Sequence, residues 1–307
     1  MADRVAVLLL AHGTPDSIEE VPEYLRNVTG GRPLPDSVIE EVRHRMLKIG
    51  KSPLTQLALE QGRLLEQKLS APVYVGMRNW RPYIADVAKQ MLDDGVQSAV
   101  VICLAPQNSR TSVGLYRRAV TQAVGDRIKI HFIEAWSDHP LLAQAFADRL
   151  LPVWQRVSTE IDSRVPVIFT AHSVPQRTVE AHNGQPADPY AEEARQTAAS
   201  VASRIPQITN WRLAFQSQGL SGGPWIGPTV EETLTALHQE GHAAVVIQPI
   251  GFLCDHVEVL YDIDIAFREF AQKLGMRLER PASLNDSPLL IAALANIAQG
   301  GIARLAS

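Results

Sequence analysis

The stretch Val5-Ala-Val-Leu-Leu-Leu-Ala-His-Gly-Thr-Pro15 decides the fold, because its pattern occurs again at Val165-Pro-Val-Ile-Phe-Thr-Ala-His-Ser-Val-Pro175. A short apolar run that ends at a loop containing Gly or Pro predicts a strand buried on both faces of a parallel sheet. In each copy a histidine follows the apolar run, His12 in the first and His172 in the second. The two copies match position for position and predict two related halves.

Further apolar runs follow each copy and alternate with amphipathic helical segments. The predicted strands are Val73–Met77 and Ala99–Leu104 in the first half, and Trp211–Gln216 and Ala243–Ile247 in the second. This alternation is typical of an α/β fold, and the duplication predicts two similar doubly wound (Rossmann-like) domains with parallel sheets facing a central cleft. We place the domains at residues 1–140 and 141–307, with the last helix, 288–304, as a candidate to pack on the first domain.

Composition and charge exclude several classes of protein. The chain has 307 residues, of which 46% are hydrophobic and 20% charged, as is typical of a globular protein. A net charge of −4 and the lack of a basic tract longer than Arg117-Arg118 predict no nucleic-acid partner. No apolar run approaches the roughly 18 residues of a membrane span, and the N-terminus has no signal-peptide pattern. We therefore expect a cytoplasmic protein.

The number of cysteines and the glycine patterns argue against several cofactors and enzyme classes. Cys103 and Cys254 are too few for the four thiolates of an ordinary iron–sulfur cluster, so we expect no such cluster and two buried free thiols. The glycine patterns G-x-G-x-x-G, G-x-x-x-x-G-K-[ST] and G-x-S-x-G are missing from the sequence, which makes dehydrogenase, kinase and hydrolase functions weak hypotheses.

Candidate functional residues follow the predicted strands of the second half, where ligands bind in such sheets. His172 ends one strand, and Asp255, Glu258 and Asp262 follow another. In a helix, the spacing of these acids places them within about 60° of one another on one face. An imidazole and a carboxylate can share a divalent metal or accept protons, and the residues leave both roles open. The alternative is an ordinary solvated helix face.

Aromatic and basic residues occupy loops beyond other predicted strands. These residues are Arg78, Trp80, Arg81, Tyr116 and Trp225. Such side chains can line a pocket for a flat anionic ligand, although ordinary surface loops are an equal alternative.

Nine short motifs, in their order and spacing, resemble the ferrochelatase family, and most closely the soluble coproporphyrin ferrochelatases of bacteria. They are Gly13-Thr14-Pro15, Ser52-Pro53-Leu54, Leu104-Ala105-Pro106, Ala171–Pro175, Asp188-Pro189-Tyr190, Gln216–Gly219, Pro224–Pro228, Gly251-Phe252 and Asp255–Asp262. The resemblance implies insertion of Fe²⁺ into coproporphyrin III to give coproheme in heme biosynthesis, with release of two protons. Fe²⁺ is then a substrate, and no tightly bound cofactor is expected.

The resemblance also implies roles for individual residues. His172 matches the catalytic histidine of the family and Glu258 its paired glutamate, and both are metal or proton acceptors. Asp262 matches a second acid on the metal-feeding helix face. The implied porphyrin-binding residues are His12, Arg45, Ser52, Asn79, Tyr116 and Trp225.

The sequence departs from the family at three positions. His12 stands where many coproporphyrin enzymes have a tyrosine, although an imidazole is also an axial ligand of porphyrin iron. Asn79 stands where a histidine is common, and Ala266 stands where relatives often continue the acidic line.

Three alternative functions stay open. They are a protoporphyrin ferrochelatase forming protoheme, a cobalt chelatase, and a non-catalytic tetrapyrrole-binding protein. The stretch Leu10-Ala11-His12-Gly13 is similar to the strand and His-Gly pair at the N-terminus of small cobalt chelatases. The long motifs of the second half argue against a cobalt chelatase. We expect a monomer that binds a porphyrin substrate and meets other proteins of heme biosynthesis only transiently.

Overall fold

The computed structural model describes residues 4–181, 184, 186–219 and 223–306. The chain forms two compact units. One contains the described residues among 1–105, 112–136 and 291–307, and the other contains residues 106–111 and the described residues among 137–290. Each unit has its own four-stranded parallel sheet.

The first sheet has the strand order β2-β1-β3-β4. Its strands are β1 (Val5–Ala11), β2 (Val73–Met77), β3 (Ser98–Cys103) and β4 (Lys129–Ile133). The helices of this part of the chain are α1 (Val21–Val28), α2 (Asp36–Ile49), α3 (Leu54–Glu66), α4 (Ile84–Asp93) and α5 (Val113–Val124). The apolar run of the first copy forms β1, in which six of seven residues are buried, because helices cover both faces of an interior parallel strand.

The second sheet has the strand order β6-β5-β7-β8. Its strands are β5 (Val167–His172), β6 (Trp211–Gln216), β7 (Ala244–Pro249) and β8 (Arg277–Glu279). The remaining helices are α6 (Pro140–Ile161), α7 (Gln176–Val179), α8 (Tyr190–Ser203), α9 (Val230–Gln239), α10 (Val257–Leu260), α11 (Arg268–Lys273) and α12 (Pro288–Ala306), with a π-helix at Asp262–Phe267.

The two sheets have the same topology, which confirms the predicted α/β fold with two doubly wound halves. Counted from its own first strand, each sheet runs second, first, third, fourth. The repeated sequence stretches form β1 and β5, which are interior strands in equivalent positions. His12 directly follows β1 and His172 is the last residue of β5, so both histidines lie at carboxyl ends of interior strands.

The expected single helix with three acids on one face is wrong. Asp255 lies before α10, and the next residue, His256, has an extended backbone with φ −163°. The helical stretch then changes from a four-residue α-helix to a π-helix at Asp262. Asp255 therefore has a different environment from Glu258, because its carboxylate accepts hydrogen bonds from Arg280, Ser283 and Asn285.

Among the described residues, α12 is the one helix whose length and composition would allow it to cross a membrane. The sequence predicted no membrane span there, because Asn296, Gln299 and Arg304 interrupt the apolar run. Leu294 and Ala298 have no exposed surface. In all, 39% of the apolar window of α12 is buried.

Gly301→Ala is expected to destabilise the protein relative to Gly300→Ala. A Cβ atom at 301 would lie 2.6 Å from Cγ1 of Val100, whereas one at 300 would meet no atom within 4 Å. Alanine favours the helix by about 1 kcal/mol at both positions. At position 301 alone, overpacking against Val100 opposes this gain and lowers the free energy of unfolding by about 1–3 kcal/mol. Urea unfolding of both variants measures the difference, and equal free energies of unfolding would contradict the described packing of α12 on β3.

Candidate functional site

A carboxylate between two imidazoles lies at the carboxyl end of the second sheet. Oε1 of Glu258 is 3.6 Å from Nε2 of His172, and Oε2 of the same carboxylate is 3.6 Å from Nε2 of His256. About a third of the side-chain surface of His172 and of Glu258 is exposed, whereas 11% of the His256 side chain is exposed. The structure thus brings the predicted pair together and adds a second histidine.

The fold holds His172 through its backbone. The residue pairs with Gln216 of β6, and its carbonyl accepts a hydrogen bond of 2.9 Å from the hydroxyl of Tyr190. Nδ1 of its ring contacts the carbonyl oxygen of Ser173. Because a carbonyl only accepts, Nδ1 carries the proton, and Nε2 is the nitrogen that faces Glu258.

The segment Asp188-Pro189-Tyr190 places the tyrosine that supports His172. The carboxylate of Asp188 accepts a hydrogen bond of 3.0 Å from the backbone N–H of Tyr190, at the start of α8. Its other oxygen accepts one of 2.7 Å from the backbone N–H of Arg110. A carboxylate at this position satisfies an N–H group that the helix leaves unpaired. The motif therefore fixes the first turn of α8, from which the Tyr190 hydroxyl reaches His172.

Glu258 lies in the first turn of α10, and its carbonyl accepts a hydrogen bond of 2.9 Å from the side chain of Gln216. His256 precedes the helix, and its Nδ1 lies 3.0 Å from the carbonyl oxygen of Cys254. Nδ1 is therefore the donor, which turns Nε2 toward Glu258. The sequence analysis assigned no role to His256. The pattern His-x-Glu beyond a strand was a usable signal, because an imidazole and a carboxylate are both metal ligands and proton acceptors.

The electrostatics of the pair favour its ionised form. Burial lowers the pKa of His172, but the Glu258 carboxylate, the Ser173 carbonyl and the charge of Asp262 together raise the pKa above its ordinary value. Burial likewise raises the pKa of Glu258, but His172 and His256 outweigh it and hold the pKa well below the ordinary range. His172 is therefore the better proton acceptor, and Glu258 stays anionic.

Asp262, the predicted second acid, is buried at the start of the π-helix. The hydroxyl of Ser217 donates a hydrogen bond to its carboxylate. The negative charge of Asp262 also contributes to the raised pKa of His172, after the larger effects of burial, Glu258 and the Ser173 carbonyl. The residue is therefore within electrostatic reach of the pair, and Ser217 is a neighbour that the sequence analysis did not assign.

The first unit has its own histidine cluster at the end of β1. Nε2 of His12 is 2.9 Å from the hydroxyl of Tyr24. The amide nitrogen of Asn79 lies 3.2 Å from Nδ1 and 3.1 Å from Nε2 of the same ring. Asn79 is buried, and its carbonyl accepts a hydrogen bond from the side chain of Asn27. The structure thus brings the predicted residues His12 and Asn79 into contact and adds Tyr24.

Two of the other predicted porphyrin residues are buried. Ser52 is 3% exposed, and its hydroxyl accepts a hydrogen bond of 3.2 Å from Thr14. Tyr116 is 5% exposed, and the guanidinium of Arg78 lies 5.6 Å from the centre of its ring. Burial raises the pKa of Tyr116, so its hydroxyl stays neutral.

The last two predicted porphyrin residues, Arg45 and Trp225, are partly exposed. Arg45 lies on α2 and pairs with Glu41 at 2.8 Å. Trp225 forms a backbone bridge with Pro175, in the loop after β5.

The arrangement around Glu258 supports two kinds of chemistry. An imidazole nitrogen and a carboxylate oxygen are both ligands for a divalent first-row metal. The same Nε2 of His172 is a proton acceptor near neutral pH. Within the part of the chain that the structure describes, no group of three or more His, Cys, Asp or Glu side chains is arranged to hold a metal ion.

Comparisons with known proteins find relatives along nearly the whole chain. The family model described as Ferrochelatase matches residues 4–301. The chain is 65% identical to Ferrochelatase from Acidobacterium capsulatum, over 99% of this chain and 97% of the relative. It is 31% identical to Coproporphyrin III ferrochelatase from Geobacillus sp., over 96% of this chain and 96% of the relative.

A solved structure shares the fold. SirB from Bacillus subtilis with Fe³⁺ has a TM-score of 0.62 and 12% sequence identity, over 98% of this chain and 96% of that chain. At this level of identity the likeness concerns the fold alone.

Glu258→Gln is expected to lower the free energy of unfolding most between about pH 4.5 and pH 6.5. The pKa of Glu258 is lower in the folded state, so its contribution is present above the ordinary carboxyl value of 4.5 and is lost as the pH falls. The pKa of His172 is higher in the folded state, so its contribution is present below the ordinary value of 6.5 and is lost as the pH rises further.

Urea unfolding of the parent and of Glu258→Gln at about pH 5.5 and pH 8.5 checks this window. Glu240→Gln is the control, because 46% of the Glu240 side chain is exposed, where it pairs with Arg212 and lies 3.9 Å from the ring of His242. A loss of stability in Glu258→Gln that is equal at both pH values would contradict the assigned pKa shifts.

Proposed function

The chain belongs to the ferrochelatase family, and we propose that it inserts Fe²⁺ into coproporphyrin III to form coproheme with release of two protons. The protein is a metal chelatase of heme biosynthesis. Fe²⁺ is a substrate of this reaction, and the proposal requires no tightly bound cofactor.

The proposal rests on Nε2 of His172 facing the carboxylate of Glu258 at 3.6 Å. Hydrated Fe²⁺ must lose water ligands before it can enter a porphyrin ring. An imidazole and a carboxylate can replace these waters one at a time. We assign His172, Glu258 and the nearby Asp262 to metal reception.

The same pair accounts for the two protons that leave the pyrrole nitrogens. His172 accepts a proton through Nε2, and Glu258 stabilises the resulting imidazolium without becoming protonated, because its pKa is held well below the ordinary range. The His172 side chain is 34% exposed, so it can pass each proton to water before it accepts the next.

Six residues are proposed to bind the porphyrin: His12, Arg45, Ser52, Asn79, Tyr116 and Trp225. Arg45 supplies a positive charge for a propionate. His12 is the proposed axial ligand of the inserted iron, in place of the tyrosine found in many coproporphyrin enzymes. Its contacts with Tyr24 and Asn79 support a fixed ring orientation.

The choice of coproporphyrin III is supported by the name of the Geobacillus relative and by the chemistry of the substrate. Coproporphyrin III carries four propionates, which suits an enzyme that meets its substrate in water. Protoporphyrin is the competing substrate, because the relative from Acidobacterium capsulatum is named without a porphyrin.

His172→Ala and Glu258→Gln are each expected to lower the rate of Fe²⁺ insertion by about 10²–10⁴-fold while porphyrin binding is retained. The reason is that each variant loses one of the two proposed metal and proton acceptors but keeps the proposed porphyrin contacts. Anaerobic stopped-flow absorption measures insertion, and quenching of tryptophan fluorescence measures porphyrin binding. His242→Ala and Glu240→Gln alter a His–Glu pair of 3.9 Å elsewhere in the same unit and serve as controls. Parental insertion rates in both site variants would refute the assignment.

Anaerobic insertion assays with coproporphyrin III and protoporphyrin side by side test the substrate. We expect a higher kcat/KM for coproporphyrin III, because two additional propionates can pair with cationic and hydroxyl groups of the protein. A clear preference for protoporphyrin would overturn the substrate but not the reaction. Insertion into neither porphyrin would overturn the proposed function.

A further inference from the structure

A buried arginine holds both ends of the segment that carries Glu258. Arg280 follows β8 and its side chain is 8% exposed. Its Nε and Nη2 donate to the two carboxylate oxygens of Asp264, at 2.8 and 2.6 Å. Its Nη1 donates to Asp255 at 3.2 Å. Parallel contacts of this kind with a carboxylate are the strong and directional form of an ion pair.

The two aspartates enclose the proposed metal-receiving acids in the sequence. Asp255 comes before α10, Asp264 is in the π-helix, and Glu258 and Asp262 lie between them. Residues two apart on a helix point in nearly opposite directions. Asp264 therefore faces Arg280 while Asp262 faces Ser217, on the side of the His172 pair.

Residues beyond Arg280 hold the same segment. The backbone N–H of Asp255 donates to Oδ1 of Asn285 at 2.9 Å, and the amide of Asn285 donates back to the Asp255 carboxylate at 2.9 Å. The backbone N–H of Asn285 donates to the carbonyl of Leu253 at 2.8 Å. The hydroxyl of Ser283 donates to Asp255 at 2.7 Å. The start of the segment is therefore fixed on several sides.

We propose that Arg280 is a positioning residue for metal insertion, which fixes residues 255–264 so that Glu258 faces His172 and Asp262 faces Ser217. This inference rests on the proposed function. Four acids, Asp255, Glu258, Asp262 and Asp264, occur within this short segment. Arg280 contacts the outer two, so its charge offsets their repulsion and leaves the inner two available for the metal.

Arg280→Met is expected to lower kcat for Fe²⁺ insertion by about 10–100-fold, the usual effect of removing a group that orients metal-binding residues. The dissociation constant for metal-free porphyrin is expected to stay at the parental value. Hydrogen exchange of the amides in residues 255–264 is expected to speed up, because the segment loses its anchor. Arg280→Lys should recover part of kcat, since an ammonium group keeps the charge but not the parallel contacts.

Arg277→Met is the matched control. Arg277 lies in β8, is 36% exposed and pairs with Glu160 and Glu279. Its loss is expected to change neither kcat nor amide exchange in residues 255–264, because exposed ion pairs contribute little.

A variant in which the charges around position 280 are balanced again distinguishes a positioning role of Arg280 from a purely structural one. Asp255→Asn and Asp264→Asn are introduced together into Arg280→Met, which removes the unpaired carboxylates. We expect the melting temperature to recover while kcat stays low. If kcat recovers together with the melting temperature in this triple variant, the positioning role is overturned. A parental kcat in Arg280→Met would also overturn it. The same holds if Arg280→Lys keeps the parental kcat although its amides in residues 255–264 exchange fast. A parent protein that inserts no iron would instead overturn the proposed function.

Discussion

The interaction on which the site depends is that of one carboxylate with two imidazoles. Burial opposes charge on both Glu258 and His172, yet the pKa of each is shifted toward its charged form. Two unit charges 3.6 Å apart attract by about 5 kcal/mol at an effective dielectric constant of about 20, but by only about 1 kcal/mol in water. With a third of both side chains exposed, the net gain lies toward the lower figure. A modest net attraction therefore holds the pair in its ionised form.

Such a pair requires accurate placement, because the attraction falls off as the two groups move apart. The fold supplies this placement through the backbone of each partner. Tyr190 donates to the carbonyl of His172, and Gln216 donates to the carbonyl of Glu258. Neither contact uses the imidazole Nε2 or the carboxylate. The imidazole Nε2 and the carboxylate thus face each other while the backbone of each residue is held.

Periodicity and repetition in the sequence were enough to predict the interior of both sheets. The strands of the repeated stretches are apolar and long, and they occur as predicted at β1 and β5. Of the four edge strands, β2 and β6 were also predicted, whereas β4 and β8 were not. β4 contains no fully buried residue, and β8 has three residues, two of them charged. An edge strand without an apolar run, such as β4 or β8, gives little signal in the sequence.

The site was predicted only in part, for a related reason. Spacing on an ideal helix grouped Asp255 with Glu258 and Asp262, but the helix begins after His256 and changes to a π-helix at Asp262. The side-chain hydrogen bonds of Asp255 come from residues about 25 to 30 positions away, such as Arg280 and Asn285. The sequence pattern around Asp255 cannot predict contacts with residues so far along the chain. The same break in the helix brings His256 to the carboxylate, which is why that residue was missed.

The duplication gives the two histidines equivalent positions but not equivalent chemistry. His12 and His172 both lie at the carboxyl end of an interior strand. The ring of His12 contacts a hydroxyl of Tyr24 and an amide of Asn79, which are neutral groups. The ring of His172 faces the anionic Glu258. A carboxylate favours the imidazolium, whereas neutral partners orient a ring without adding charge. The strand end determines where each histidine lies, and the neighbouring side chains determine the charge that its ring faces.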